Sequence, residues 1–184
     1  ASHNSYPGGV AVDSIGNVIT VGYWQNGSYF KVDNLTLNKN TNSSQNSYII
    51  KYDSNGTVIW AKVPKTTGTV LNATRTFSVT TDINDNIYFT GWWGGTLVLD
   101  TINLTNGETD MFIIKYDPSG KVIWAKRSKG ECEFHSLKTD QFGNLYLGGY
   151  IYPKSSKPFT FDTFTIRFFQ GIFDGILAKM DSNG

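Results

Sequence analysis

One phrase of the sequence recurs at a fixed step, and it limits the folds that the chain can adopt. The segment YIIKYDSNGTVIWAK at Tyr48–Lys62 returns as FIIKYDPSGKVIWAK at Phe112–Lys126, and a shorter copy, ILAKMDSNG, runs from Ile176 to Gly184. The aspartates of the three copies, at positions 53, 117 and 181, are 64 residues apart in both steps (117 − 53 and 181 − 117). Self-similarity at a period of this size is the sequence signature of repeat architectures. The sequence therefore predicts three copies of one structural unit.

A second phrase alternates with the first, as VAVDSIGNVITVGYW at Val10–Trp24, VTTDINDNIYFTGWW at Val79–Trp93 and LKTDQFGNLYLGGYI at Leu137–Ile151. Apolar positions alternate on both sides of a turn that begins with Asp, which predicts a β-hairpin. The first phrase predicts another hairpin, with its turn at Asp53–Gly56. A third, weaker phrase links the two, as FKVDNLTL, LVLDTINL and FTFDTFTI. Two hairpins in each repeat predict a four-stranded antiparallel unit and an all-β chain.

Four-stranded units in tandem, of roughly 40–65 residues each, are typical of β-propeller blades. We predict one partial propeller domain of about three blades, with blade 1 at residues 1–62, blade 2 at 63–126 and blade 3, lacking its outer strand, at 127–184. Propellers close with about four to eight blades. Either the chain is a piece of a longer propeller, or neighbouring copies cover its open ends. The strand edge predicted to take part in assembly comprises Ile176, Leu177, Ala178, Lys179 and Met180.

The combined motif resembles the SBBP repeat, a β-propeller repeat of secreted and surface-attached microbial proteins. The resemblance is carried by DINDNIYFTGWW and TDMFIIKYDPSGKVIWAK in the middle repeat, and it extends over essentially the whole chain. The departures are Asp85 where a turn glycine is expected, the insertion YPKSSKPF, and Met180 in place of a tyrosine. The resemblance implies a propeller fold and an extracellular or cell-surface location. It implies no single activity, because propellers carry many functions.

The composition argues against several classes of partner. Sixteen basic and fifteen acidic residues leave a formal charge of +1, so the sequence predicts no nucleic-acid partner. No apolar run approaches the roughly 20 residues of a membrane helix, so no membrane insertion is predicted. The single cysteine, Cys132, excludes an internal disulfide and cannot by itself build a zinc site. We predict no cofactor and no metal.

Aromatic residues recur directly after the glycine of the second phrase. Exposed aromatic faces could stack on the apolar faces of sugars, whereas buried ones would fill the space between neighbouring blades. We favour packing between blades, and we assign the same role to Trp60 and Trp124. The candidate ligand-binding residues are nevertheless Trp24, Trp92, Trp93, Tyr150 and Tyr152.

The repeated aspartates suggest either calcium ligands or turn caps. Only DINDN, at 82–86, approaches the run of oxygen ligands that a calcium loop needs, and its spacing differs from that of such a loop. We therefore expect turn caps. Cys132 and His135 lie three positions apart, which places them on opposite sides of an extended strand. The sequence predicts no catalytic residue.

These observations predict a non-enzymatic, extracellular or surface-exposed propeller module. Its predicted role is structural or adhesive, through association of its open blade edges with itself or with the remainder of a longer propeller. The alternative is a lectin-like propeller that binds glycans in aromatic pockets between blades. A third reading, an enzyme with its site on one face of a complete propeller, has the least support from the sequence.

Overall fold

The computed structural model describes residues 4–68, 72–105, 110–130, 132–152, 159–161, 164–166 and 173–184. Every regular element in these ranges is a β-strand, and most of the strand pairs are antiparallel. No helix long and apolar enough to cross a bilayer occurs in the described ranges. The predicted fold class is confirmed: the chain is all-β, and its sheets are arranged as in a partial propeller.

Blade 1 is a four-stranded antiparallel sheet with the strand order β1-β2-β5-β6. Between its second and third strands the chain forms a separate two-stranded hairpin, β3-β4. The strands are β1 (Asn4–Val12), β2 (Val18–Gln25), β3 (Tyr29–Val32), β4 (Leu35–Asn38), β5 (Gln45–Tyr52) and β6 (Val58–Lys62). A short strand, β7 (Lys65–Thr67), follows.

Blade 2 repeats this arrangement with the order β8-β9-β12-β13, and its inserted hairpin is β10-β11. Its strands are β8 (Ala73–Thr81), β9 (Ile87–Gly94), β10 (Thr96–Leu99), β11 (Ile102–Thr105), β12 (Asp110–Tyr116) and β13 (Val122–Lys129). Strand β13 extends three residues beyond position 126, so the predicted division between blades 2 and 3 falls inside a strand. The three predicted blade ranges themselves stay a prediction.

Blade 3 contains three described strands in the order β14-β15-β18. Its inserted hairpin is β16-β17, which pairs with the end of β13 in blade 2. The strands are β14 (Cys132–Thr139), β15 (Leu145–Ile151), β16 (Phe159–Phe161), β17 (Phe164–Ile166) and β18 (Asp174–Met180).

The inserted hairpins correct the strand count predicted from the sequence. The third phrase was expected only to link the two main hairpins, but in each blade it forms a hairpin of its own. Its aspartate explains the tight turn, since Asp33 and Asp100 adopt φ of +47° and +45°. Short polar side chains tolerate this left-handed conformation better than most residues. Blades 1 and 2 therefore each carry three hairpins where we predicted two, and blade 3 carries the inserted hairpin in addition to β14-β15.

The inserted hairpins also join neighbouring blades. Strand β10 of blade 2 pairs with β7, where Lys65 lies opposite Val98. The end of β13 pairs in the same way with β16 of blade 3, where Lys129 lies opposite Thr160. Lys65 and Lys129 are 64 residues apart in the sequence (129 − 65), so the same register is used twice. The repeat therefore specifies contacts between blades as well as the strands within them.

A β-bulge in the first strand of each blade explains the glycine of the second phrase. The register shifts at Gly8, Phe77 and His135, each of which is the extra residue on its strand. The bulge brings a backbone carbonyl against the second strand: a Cβ on Gly91 would lie 1.9 Å from the carbonyl oxygen of Arg75. A Cβ on Gly149 would meet the carbonyl of Glu133 at the same 1.9 Å. Bulges re-aim neighbouring side chains, and they are often found beside functional sites.

Candidate functional site

The surfaces between blades are built twice from equivalent residues. We call the side of a blade that faces the next blade its forward face, and the side that faces the previous blade its rear face. Ile19, Val21 and Ile49 of blade 1 share a buried cluster with Val79 and Phe89 of blade 2. A second buried cluster joins Tyr88, Met111 and Ile113 of blade 2 to Phe134, Leu137 and Leu147 of blade 3. The two clusters bury a forward face against a rear face in the same way.

The two outer faces of the stack expose copies of these buried residues. Ile49 and Ile113 on the forward faces are both 0% exposed, whereas their copy on blade 3, Leu177, is 78% exposed. On the rear faces, Val79 and Leu137 are 6% and 2% exposed, whereas their copy on blade 1, Val10, is 65% exposed. Burying each of these side chains removes apolar area from water and stabilises the contact, at about 25 cal/mol per Å². Within the part of the chain that the structure describes, the forward face of blade 3 is therefore open at Leu177 and the rear face of blade 1 is open at Val10.

A buried ion pair lies beside the apolar contact in the first two blades. Lys51 Nζ lies 2.9 Å from Asp13 Oδ2, and the two side chains are 5% and 1% exposed. Lys115 Nζ lies 3.7 Å from Asp82 Oδ2 in blade 2, where the side chains are 9% and 2% exposed. Burial acts to raise the pKa of Asp13, but hydrogen bonds from Lys51 and Asn17 outweigh it and hold that pKa below its usual value. These charges are therefore paired where they are withdrawn from water, as buried charges must be.

Each of these lysines also bonds to the following blade. Lys51 Nζ donates to the carbonyl of Pro118 at 3.3 Å, and Lys115 Nζ donates to the carbonyl of Ser182 at 3.0 Å. The same two carbonyls accept hydrogen bonds from the indole nitrogens of Trp60 and Trp124, at 3.3 and 3.4 Å. Each carbonyl belongs to the turn of the first phrase, one residue after its aspartate. A lysine and a tryptophan thus hold the turn of the next blade in place.

The third lysine of the series, Lys179, lies on the open forward face of blade 3. It is exposed and bonds to the hydroxyl of Tyr146, and this bond raises its pKa. The Tyr146 hydroxyl in turn donates to Asp140 Oδ2 at 3.1 Å. Asn144 is the main donor that lowers the pKa of Asp140. The third copy therefore keeps the aspartate and the lysine, but a tyrosine lies between them.

All six repeated aspartates cap turns, as the sequence analysis expected. Asp13, for example, accepts hydrogen bonds from the backbone N–H groups of Ile15 and Asn17 at 3.2 and 2.8 Å. Four others accept from the N–H groups two and four positions on in the same way: Asp53, Asp82, Asp117 and Asp140. Asp181 accepts from the N–H groups of Asn183 and Gly184, two and three positions on, at 2.8 and 3.1 Å. Among the residues that the structure describes, no group of three or more His, Cys, Asp or Glu side chains is placed to hold a metal ion.

A row of stacked side chains crosses the blades where the bulges lie. In blade 1 the rings of Tyr6 and Tyr23 stack at 4.8 Å. The guanidinium of Arg75 in blade 2 lies between Tyr23 and Trp92, at 5.0 and 5.3 Å from their ring centres. The cation–π contact with Tyr23 stabilises blade 2 against blade 1. Gln45 accepts a hydrogen bond from Arg75 Nε at 2.7 Å, which fixes the guanidinium between the two rings.

Blade 3 continues the row with a different set of groups, centred on Glu133. Its carboxylate accepts from the Tyr150 hydroxyl at 2.8 Å and lies 2.7 Å from His135 Nε2. The His135 ring stacks between Phe77 and Tyr150, at 4.6 and 5.3 Å. Tyr152 bonds to the Tyr150 hydroxyl, and this bond is the main cause of the raised pKa of Tyr150. These rings and one carboxylate form a partly exposed aromatic cluster.

The candidate ligand-binding residues fall into two groups. Trp24 and Trp93 are both 0% exposed and lie in apolar cores, so neither can touch a ligand in this structure. Side chains alternate between the two faces of a strand, which is why Trp92 is half-buried at the surface while Trp93 points inward. Tyr150 and Tyr152 are also half-buried and lie in the aromatic cluster of blade 3. A ligand-binding role for Trp92, Tyr150 and Tyr152 stays a prediction.

The predicted assembly edge also divides by alternation. Ile176, Ala178 and Met180 pack on the buried cluster between blades 2 and 3. Leu177 and Lys179 point to the opposite side and are exposed. Strand β18 pairs with β15 along one edge, and no described strand pairs with its other edge. A role of this edge in assembly stays a prediction.

Cys132 and His135 do not form a joint site. Cys132 is 4% exposed in the core of blade 3, and burial raises the pKa of its thiol to about 12. His135 lies at the surface, in the aromatic cluster. A protonated, buried thiol is a poor nucleophile, because the thiolate is the reactive form.

Several functional residues were missed by reasoning from the sequence. Lys51, Lys115 and Lys179 follow the 64-residue step, but their value as contacts between blades was not recognised. Tyr6, Arg75 and Glu133 stand seven positions before the turn aspartates 13, 82 and 140, so aligning the second phrase further upstream would have found them. The stacking of Arg75 between two blades had no signal in the sequence, because it depends on how the blades sit together.

The chain is similar to a known repeat protein over part of its length. No protein-family model matches the chain. The chain is 30% identical over 136 residues to an uncharacterized WD repeat-containing protein of Acanthamoeba polyphaga mimivirus. The match covers 60% of this chain and 10% of that protein, so the chain spans about a tenth of its relative's length. This similarity suggests a propeller-type repeat, in agreement with the all-β blades.

Proposed function

We propose that the chain is a non-enzymatic propeller segment whose function is protein association through the open faces of its outer blades. The observation that carries this proposal is the exposure of Leu177 and Val10, whose copies are buried at both internal contacts between blades. Exposed apolar residues that copy a buried interface mark a surface suited to the same kind of partner. The partner class is therefore protein, and specifically a β-sheet face of the propeller type.

A structural or adhesive role at the cell surface or outside the cell belongs to the same proposal. Its support is the resemblance of the repeated motif to SBBP-type repeats. The non-enzymatic part is supported by the separation of Cys132 from His135 and by the raised pKa of the buried thiol. Labelling of intact cells with a membrane-impermeant amine reagent tests the location, because a protein inside the cell would stay unlabelled.

The mass of the chain in solution tests association. Sedimentation velocity over a wide range of concentration should show oligomers for the wild-type chain and monomers for Leu177→Asp, because a carboxylate cannot be buried without a partner. Ile59→Asp is the matched control: Ile59 on β6 is 50% exposed, and its copy in the inner blade, Ile123, is 47% exposed, so this position stays outside the contacts between blades and the variant should associate as the wild type does. A wild-type chain that stays monomeric at all concentrations would contradict the proposal.

Glycan binding is a second candidate function, and the aromatic cluster of blade 3 is the observation that favours it. The rings of Tyr150, Tyr152 and Phe173 lie within 5.1–5.6 Å of one another, beside the carboxylate of Glu133. Phe173 is 57% exposed, so its face is open to a sugar. A sugar ring can stack on an aromatic face while its hydroxyls bond to a neighbouring carboxylate.

A glycan array probed with the wild-type chain tests this candidate. Binding that is lost in Phe173→Ala and kept in Tyr29→Ala would support it, since Tyr29 is an exposed aromatic residue on a different hairpin. Absence of binding at high protein concentration would remove glycans from consideration.

A further inference from the structure

We infer that the open forward face of blade 3 binds the open rear face of blade 1 on a second copy of the chain, in a head-to-tail junction. This inference rests on the proposed function and names its partner. The two internal contacts between blades are the template, since each joins a forward face to a rear face through equivalent residues. A head-to-tail junction reuses that geometry, whereas a symmetric contact between two like faces does not.

The apolar part of the junction follows from the copies of buried residues. Ile49 on a forward face shares one buried cluster with Val79 on a rear face, and Ile113 shares the other cluster with Leu137 in the same way. Leu177 continues the first series and Val10 continues the second. Both residues are exposed in the single chain. The junction would therefore bury Leu177 of one copy against Val10 of the second copy.

The polar part of the junction centres on Lys179. Lys51 and Lys115 donate to the carbonyls of Pro118 and Ser182, which are 64 residues apart in the sequence (182 − 118). One step earlier, the same position of the turn is Ser54, which is exposed on blade 1. Lys179 would therefore donate to the carbonyl of Ser54 of the second copy, and it would turn away from Tyr146 to do so.

The stacked row continues across the same junction. Arg75 lies over the Tyr23 ring of the previous blade, 5.0 Å from its centre. Tyr6 occupies the position of Arg75 in blade 1 and is 36% exposed. Tyr150 occupies the position of Tyr23 in blade 3. A stack of Tyr150 on Tyr6 of the second copy would thus replace a cation–π contact with an aromatic pair.

One hydrogen bond of the internal contacts between blades would lack its donor at the junction. The Thr81 hydroxyl donates to the carbonyl of Val12 at 2.9 Å, and the Thr139 hydroxyl donates to the carbonyl of Thr81 at 2.6 Å. The next donor in this series would be residue 12 of the second copy, which is a valine and has no hydroxyl. Val12 is 56% exposed, so a threonine can be placed there without disturbing the core. Restoring the missing hydroxyl should strengthen the junction.

Complementation between two blocked variants tests the head-to-tail arrangement. Val10→Asp blocks only the rear face, and Leu177→Asp blocks only the forward face. In sedimentation velocity each variant alone should be monomeric, and an equal mixture should form a dimer, because blade 3 of the first variant can bind blade 1 of the second. Circular dichroism melting of each variant shows that both are folded.

The outcomes separate this inference from the proposed function. A monomeric wild-type chain would overturn both. If the wild-type chain associates, and Val10→Asp or Leu177→Asp alone associates equally well, only the head-to-tail junction would be overturned. A contact between two like faces buries only one of these two residues, so the variant of the other residue would still associate. A mixture that stays monomeric, although the wild type associates, would overturn it as well.

Two further variants test the atoms of the junction. Lys179→Met should raise the dissociation constant of the mixed dimer about tenfold or more, because a charge-assisted hydrogen bond is lost. Val12→Thr should lower it about three- to tenfold, and Val12→Ala, which adds no hydroxyl, should not lower it. An unchanged dissociation constant in both Lys179→Met and Val12→Thr would contradict the proposed register.

Discussion

The lysine of the first phrase has similar neighbours in the sequence of all three blades, but its surroundings differ between the inner and the outer faces. Lys51 and Lys115 are buried, paired with an aspartate and bonded to the turn of the next blade. Lys179 is exposed and bonds instead to Tyr146 of its own blade. The difference comes from the neighbouring blade, which covers two forward faces and leaves the third open. The repeat therefore encodes an interface, and burial follows where a second blade is present.

Replacing the lysine should lower the free energy of unfolding strongly at the buried position and hardly at all at the exposed one. Lys51→Met leaves Asp13 buried without its cation, and breaking such a pair costs about 3–5 kcal/mol in the free energy of unfolding. Lys179→Met should leave that free energy nearly unchanged, because the exposed ammonium is hydrated in both states. Urea unfolding at a concentration where the chain is monomeric measures both. Equal losses in the two variants would mean that the comparison between buried and exposed copies fails.

The equivalent apolar residues Ile113 and Leu177 test the same difference between a buried and an exposed face. Ile113→Ala should lower the free energy of unfolding by about 2–5 kcal/mol, since the side chain is fully buried between blades 2 and 3. Leu177→Ala, at the equivalent exposed position, should cost less than about 0.5 kcal/mol. Denaturant titration of the two monomeric variants provides the test. A large loss in Leu177→Ala would show that the forward face of blade 3 is already covered within the chain.

Glycines allow a comparison of backbone contacts. Gly91→Ala should destabilise the chain by about 1–3 kcal/mol, because the added methyl group collides with the carbonyl of Arg75 at the bulge. Gly175→Ala is the matched control on an open face, where no atom of the described residues, apart from the two chain neighbours, lies within 4 Å of the added carbon. Thermal melting should show a fall only for the first variant. A similar fall for Gly175→Ala would indicate a hidden contact on the forward face of blade 3.

The smallest effect is expected at the surface, where Asp85 replaces the turn glycine. Its carboxylate accepts hydrogen bonds from the Ser14 backbone and hydroxyl, both at 2.7 Å, and so joins blade 2 to blade 1. Ser14→Ala should cost about 0.5–1.5 kcal/mol in the wild-type background. It should cost nothing in an Asp85→Gly background, where the acceptor is absent. A cost that is equal in both backgrounds would exclude this contact as a source of stability.

Much of the fold could be predicted from the 64-residue step and from the alternation of apolar residues. The two main hairpins of each repeat and the capping aspartates, such as Asp13, are local features, so the sequence specifies them directly. The inserted hairpins were missed because the third phrase is short and its turn depends on the left-handed φ of Asp33 and Asp100. The sequence also did not show which of two adjacent tryptophans is buried: Trp93 lies in the core, whereas Trp92 is half-buried at the surface.

The sequence by itself determined the all-β class, the repeat and the residues that cap each turn, because these depend on spacing and on local hydrogen bonds. Only the tertiary structure decided which copies of a repeated residue are buried. Ile49, Ile113 and Leu177 occupy one position of the repeat, yet the first two are covered by the next blade and the third is not. Burial is a property of two packed surfaces, and it therefore cannot be predicted from the residues of one surface alone.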